Sequence, residues 1–157
     1  MLAVDGRSLD LDRVAPKLYQ GGAVDPSYHY GWFDMIVLCA IELQPELPHF
    51  RGEVVRPAFD DTVSPTRLDL TRAAVAADLV AKALHRGKCV LVTCRAGWNR
   101  SGLVSGLALG RSMPGAHAVS LIRRARGHYA LCNSTFERIV RAAPMQHIDN
   151  RGSSVRL

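Results

Sequence analysis

The chain's 157 residues suffice for one hydrophobic core and are few for two, and its 48% apolar content is that of an ordinary globular domain. No apolar run nears the roughly 20 residues of a bilayer-spanning helix, and Asp5 interrupts the start too early for a secretory signal, so a soluble, cytoplasmic protein with no membrane span is expected. The net charge of +6 favours anionic partners, yet 17 of the 20 basic residues are Arg, scattered without interleaved aromatics; nucleic acid is thereby disfavoured, though not excluded, against a site for phosphorylated substrates.

In chain order, Lys17 to Gln20 reads as a short outer strand, and Met35 to Cys39 as a strand buried on both faces, being apolar and rich in β-branched residues. Glu53 to Arg56 is a second outer strand. Thr66 with Asp69 forms a capping box, and the apolar positions from Leu70 to Leu84 predict a long helix that Gly87 stops. Cys89 to Thr93 is another buried strand. A helix follows from about Arg100 to a break at Pro114-Gly115, a third covers about Ala116 to Arg126, and a fourth starts near Asn133-Ser134. This order predicts a single α/β domain, residues 1–148, with a central, mostly parallel sheet flanked by helices. Residues 149–157 are polar and uncapped, a frayed tail. Cys39, Cys89, Cys94 and Cys132 show neither a Cys-x-x-Cys pair nor a His at ligand spacing, so reduced thiols are expected, and neither a metal nor a cofactor.

The chemistry concentrates in residues 93–102, Thr-Cys-Arg-Ala-Gly-Trp-Asn-Arg-Ser-Gly, between a buried strand and a helix. A Cys-x5-Arg spacing arises by chance about 0.4 times in this composition, so the context carries the weight. At the C-terminal end of a strand, where open α/β sheets place their ligands, the following helix offers unpaired N–H groups and a partial positive charge. Successive amides from Arg95 to Arg100, through Ala96, Gly97, Trp98 and Asn99, can form an anion-binding nest, and Gly97 lets the backbone turn tightly. Arg100 supplies a planar fork for two phosphoryl oxygens, and the same positive surroundings favour Cys94 as a thiolate nucleophile. Ser101 can donate its hydroxyl to that sulfur. A general acid is also needed, and Phe59-Asp60-Asp61-Thr62 places two carboxylates in the loop before the long helix.

These residues resemble the cysteine-dependent protein phosphatases, specifically the compact dual-specificity phosphatases, whose signature is His-Cys-x-x-Gly-x-x-Arg-Ser/Thr after a hydrophobic strand. The resemblance runs from about residue 13 to 143: Ala15-Pro-Lys-Leu-Tyr-Gln-Gly-Gly22 is similar to the opening strand, and Ala118 to Arg126 followed by Asn133-Ser-Thr-Phe136 to the last two helices. It implies Cys94 as nucleophile, Arg100 as phosphate clamp, Asp61 as acid and then base with Asp60 as competitor, and Ser101 as the sulfur-stabilising hydroxyl. The implied reaction is metal-free hydrolysis of phosphotyrosine, with phosphoserine and phosphothreonine, on protein substrates through a phosphocysteine.

Three departures keep alternatives open. Thr93 stands where the family has the His that orders the loop, which admits a catalytically silent phosphate-binding module. Gly97-Trp-Asn-Arg-Ser-Gly102 resembles the Gly-Phe-Asn-Arg-Thr-Gly loop of the RNA 5′-triphosphatase branch, admitting RNA 5′-phosphates as substrates. Leu38-Cys39-Ala40 resembles the second-cysteine position of the phosphoinositide-phosphatase branch, admitting a phosphoinositide as substrate; there that cysteine forms a reversible disulfide with the nucleophile, and a core Cys39 is the competing reading. Trp98, with Tyr28, Tyr30 or Trp32, is the candidate lining of a shallow entrance.

Overall fold

A computed structural model describes the backbone of residues 2–4, 7–148 and 154–156, and the side chains from residue 9 to residue 146. Strands β1 (Leu2–Val4) and β2 (Arg7–Leu9) pair as an antiparallel ribbon. The main sheet holds β3 (Leu11–Ala15), β4 (Leu18–Gly21), β5 (Met35–Leu38), β6 (Glu53–Val55) and β7 (Val90–Thr93), in the order β3-β4-β7-β5-β6. Only β3 runs antiparallel to its neighbour. Four helices complete the domain: α1 (Arg67–His85), α2 (Arg100–Leu109), α3 (Gly115–Arg126) and α4 (Ser134–Ala142). A second antiparallel ribbon joins β8 (Gln146–Ile148) to β9 (Ser154–Arg156). Of the stretch expected as a tail, residues 149–153 and 157 lie outside the described residues.

The parallel register matters most for function. Gly21 on β4 and Leu38 on β5 both lie opposite Thr93 on β7, so three strands end at one level and the chain leaves each of them beside Cys94. β7 is central and buried throughout, as its Val-Leu-Val-Thr composition predicts. β3 escaped the sequence reading because a register shift between Arg13 and Ala15 breaks its two-residue alternation.

The helices do not flank the sheet on both sides. Their core side chains, among them Val80, Leu103, Ile122 and Phe136, all join one cluster over Leu18, Val37, Val90 and Val92. The opposite face, with Ile36, Leu38 and Leu91, is covered instead by Tyr30, Phe33, Leu47 and Phe50 from irregular segments. The second helix also ends earlier than Pro114: Gly110 caps it at Leu109, and turns through Ser112 and Met113 carry the chain to α3. Among the described residues no helix is long and apolar enough to cross a membrane.

The capping box forms as the sequence predicts. Asp69 N donates to Thr66 Oγ1 at 3.1 Å, and Thr66 N donates to Asp69 Oδ2 at 3.0 Å. Thr66→Ala removes one acceptor for the helix's free amides and should lower stability by about 1 kcal/mol, read as a lower urea midpoint at unchanged slope.

Candidate active site

Cys94 follows the last residue of β7 and is buried; its amide donates to Gly21 O at 3.2 Å. From there the chain makes one irregular turn before entering α2 at Arg100. The four carbonyls from Arg95 to Trp98 are each held by a donor outside the turn. Arg95 O accepts from Ala23 N, Ala96 O from Arg126 Nη2, Gly97 O from both Gln20 Nε2 and Arg126 Nε, and Trp98 O from Leu131 N. A trans peptide sets its N–H opposite its C=O, so outward carbonyls turn the amides inward. Among the described residues, none of the N–H groups from Arg95 to Asn99 donates to a protein acceptor. Unpaired N–H groups gathered in one loop at a helix N-terminus are suited to an anion. Gly97 sits at φ 70° with Gly21 pressed behind it; a Cβ there would lie 2.6 Å from the Gly21 carbonyl carbon, so both the backbone angle and the space require glycine.

Arg100, first residue of α2, is 4% exposed. Its Nη1 and Nη2 donate to the two oxygens of Glu42 at 2.5 and 2.6 Å, and Nη1 also reaches Phe59 O at 3.4 Å. The Nε is buried with no partner among the described residues. One edge of the guanidinium is thus fixed by a carboxylate, and the Nε edge is left to bind something else. Burial works against the charge on Arg100, but Glu42, with Cys94 and Asp61 nearby, outweighs it and raises the pKa. The Arg100 hydrogen bonds hold Glu42 down at about 2.

Cys94 Sγ lies 3.3 Å from Ser101 Oγ, which is fully buried. The Thr93 hydroxyl is spent within the sheet, donating to Val37 O at 3.1 Å. Asp61 is tied to the turn: Oδ2 accepts from Asn99 Nδ2 at 3.1 Å and Oδ1 from Asn133 Nδ2 at 3.0 Å. Among the described residues Asp60 accepts only from the next amide in the chain, so of the two candidate acids Asp61 is the one joined to the loop. Asn133 caps α4 with its Oδ1 and holds Thr62 O as well, while its own amide donates to Asn99 Oδ1. Ala58 and Leu131, both non-glycine residues at positive φ (45° and 58°), flank these two segments, a placement of backbone strain common at functional sites.

Trp98 stacks on Tyr129 with centroids 5.5 Å apart, both rings part-exposed at the rim. Tyr30 is core, its hydroxyl accepting from Asp25 N, and Tyr28 packs edge-on against it. Cys39 is fully buried and shares a cavity of about 30 Å³ with Thr93 and Cys94. Burial, with the charge of Cys94, pushes its thiol well up. Among the described residues no group of three or more His, Cys, Asp or Glu side chains is placed to hold a metal ion.

Glu42, Gln20 and Arg126 were not singled out from the sequence, and Asn133 only as the start of the fourth helix. Of the first three, Glu42 had a local signal, as an acid just past a buried strand that parallel pairing sets beside Cys94.

No family profile matches the sequence, and no curated protein matches it. Solved structures do. Human DUSP28 aligns with a TM-score of 0.66 at 21% identity, over 87% of this chain and 98% of that one. A mouse dual specificity phosphatase complexed with zinc tungstate gives 0.67 at 20% identity, over 90% and 95%. The human tyrosine phosphatase-like serine/threonine/tyrosine-interacting protein gives 0.65 at 17%, over 83% and 92%. The chain has the fold of the compact dual-specificity phosphatases of the cysteine-dependent superfamily.

Glu42→Gln leaves a buried Arg100 without its counter-charge and should cost about 1–2 kcal/mol at pH 7, discounted because the Glu42 side chain is 41% exposed. Since the folded-state pKa of Glu42 is depressed, its contribution is complete above pH 5 and fades as pH falls from about 4.5 towards 2. Urea midpoints of wild type and variant should therefore converge at low pH.

Proposed function

We propose that the protein is a metal-independent phosphatase that hydrolyses phosphotyrosine, and also phosphoserine and phosphothreonine, on protein substrates. The observation that carries this reading is the buried Arg100, one edge paired with Glu42 and its Nε unsatisfied beside an inward set of amides at a helix N-terminus. A phosphoryl group satisfies both at once.

The roles follow from position. The Cys94 thiolate attacks phosphorus, an S–P bond forms and the P–O bond to the leaving group breaks. Asp61 gives that oxygen its proton; each carboxyl oxygen can accept its amide from Asn99 or Asn133 and one still carries the proton outward. Asp61, now ionised, takes a proton from water, which attacks the phosphocysteine, and Ser101 donates to the departing sulfur. Arg95, Ala96, Gly97, Trp98 and Asn99 line the phosphoryl site. The mouse structure's tungstate and the four free thiols, which fit a reducing cytoplasm, support the same reading.

A second reading, a phosphate-binding module without turnover, is favoured by one observation: the Thr93 hydroxyl is occupied by Val37 O, leaving Ser101 as the one hydroxyl on Cys94 among the described residues.

Hydrolysis of p-nitrophenyl phosphate in excess EDTA tests the proposal. Activity should vanish in Cys94→Ser, and kcat should fall roughly a hundredfold or more in Asp61→Asn. Phosphopeptide binding without turnover by wild type would establish the module instead, and RNA 5′-phosphate release that survives Asp61→Asn would point to the polynucleotide branch.

We assign Cys39 as the thiol that resolves an oxidised Cys94. Peroxide converts the Cys94 thiolate to sulfenic acid, and attack by Cys39 sulfur expels water to leave a disulfide. Non-reducing peptide mapping after peroxide should recover a Cys39–Cys94 link; irreversible sulfonate at Cys94 with no such link would refute it.

A further inference from the structure

We infer that Gln20 and Arg126 act as a clamp behind the phosphate loop, orienting its amides in place of the histidine that the phosphatase resemblance expects at position 93. This rests on the phosphate-site reading above. Gln20 is a fully buried amide on β4, beside β7. Its Nε2 donates to Gly97 O at 2.9 Å, while its Oε1 has no partner among the described residues. Burying an unpaired carbonyl oxygen is unfavourable, and an apolar side chain of similar size would avoid it. What the amide supplies here is the bond to Gly97.

Arg126 approaches the same oxygen from the end of α3. Its side chain is 5% exposed, with Nη1 on Asp12 at 2.8 Å and Nη2 near Asp10 at 2.9 Å. Its Nε donates to Gly97 O at 3.2 Å and its Nη2 to Ala96 O at 3.1 Å. Gln20 and Arg126 thus occupy both lone pairs of the Gly97 carbonyl, and Arg126 holds the preceding one. The planar peptide converts each outward carbonyl into an inward N–H, that of Trp98 from Gly97 and that of Gly97 from Ala96. Asp10 and Asp12 neutralise Arg126 and fix its fork, so it acts on the carbonyls rather than as a second charge on the substrate. Thr93, bonded to Val37 O, plays no part in holding the turn.

Both are positioning residues, and the test separates that role from a structural one. In the full chain, protection of Cys94 from iodoacetamide by inorganic phosphate reports occupancy of the loop. Gln20→Leu removes the donor and also the unpaired oxygen, so it should keep or raise the urea midpoint while raising the half-protecting phosphate concentration about tenfold. Arg126→Met should weaken protection at least as much, and the double variant by less than the product, because both side chains act on one carbonyl. A folded Gln20→Leu protein with wild-type protection overturns the clamp, and it decides the matter even if Arg126→Met does not fold. Wild-type Cys94 that phosphate does not protect overturns the phosphate-site reading, and the clamp with it.

Discussion

A guanidinium almost wholly withdrawn from water has to be compensated, and the arrangement around Arg100 follows from that requirement. Its bidentate bond to Glu42 supplies the counter-charge and fixes the plane of the fork. A plane fixed in that way leaves Nε pointing where no acceptor stands among the described residues. Glu42 does more than balance charge, because without it the long Arg side chain would have no single orientation at the start of α2. The carboxylate is set by β5, the guanidinium by α2, and the two meet because β5 and β7 are parallel neighbours in register.

The same register explains why the site needs so few elements. β4, β7 and β5 end at a common level, so Gly21 and Gly22, Cys94, and Cys39 to Glu42 emerge side by side. Gly21 can press against Gly97 because Gly97 carries no Cβ, whereas a Cβ on Gly21 would meet Asp10 and Leu11. On the other side, the α3–α4 connection closes over the turn. Arg123 holds Ala130 O and Leu131 O with two of its nitrogens while pairing with Glu137, and Leu131 N in turn holds Trp98 O. Asn133 extends this link to Asp61 and Thr62, so α4's cap and the acid-bearing loop are positioned by one side chain.

What could be read from the sequence was local. The capping box spans three residues, and Cys94, Gly97, Arg100 and Ser101 lie within eight positions, so spacing and helix physics expose them. Asp61 followed from its setting in a loop after a strand. The partners of these residues are remote: Glu42 meets Arg100 across 58 positions, Asn133 meets Asp61 across 72, and Gln20 meets Gly97 across 77. Only the strand order brings them together, and no periodicity in one chain specifies it. Gln20 was further concealed because it sits in a strand of only four residues, too short to show a period. The placement of the helices was likewise a long-range property, since they cover one face of the sheet and the loops through Tyr30 and Phe50 cover the other.

The electrostatics of the site run against the simplest account of a basic protein binding a phosphate. Arg100 is matched by Glu42, Arg126 by Asp10 and Asp12, and Arg123 by Glu137, so three arginines near the loop carry little uncompensated charge. Arg95 is the loop cation with no carboxylate in salt-bridge range among the described residues, and it lies exposed at the rim. Under the proposed function, the attraction for a dianion would therefore come mainly from dipoles: the inward amides of the turn and the first N–H groups of α2, which bring positive potential without a mobile charge. Dipoles of that kind act only when they converge. That places the demand on the geometry of the turn, and it gives the buried, neutral Gln20 as much claim on phosphate affinity as any of the surface arginines.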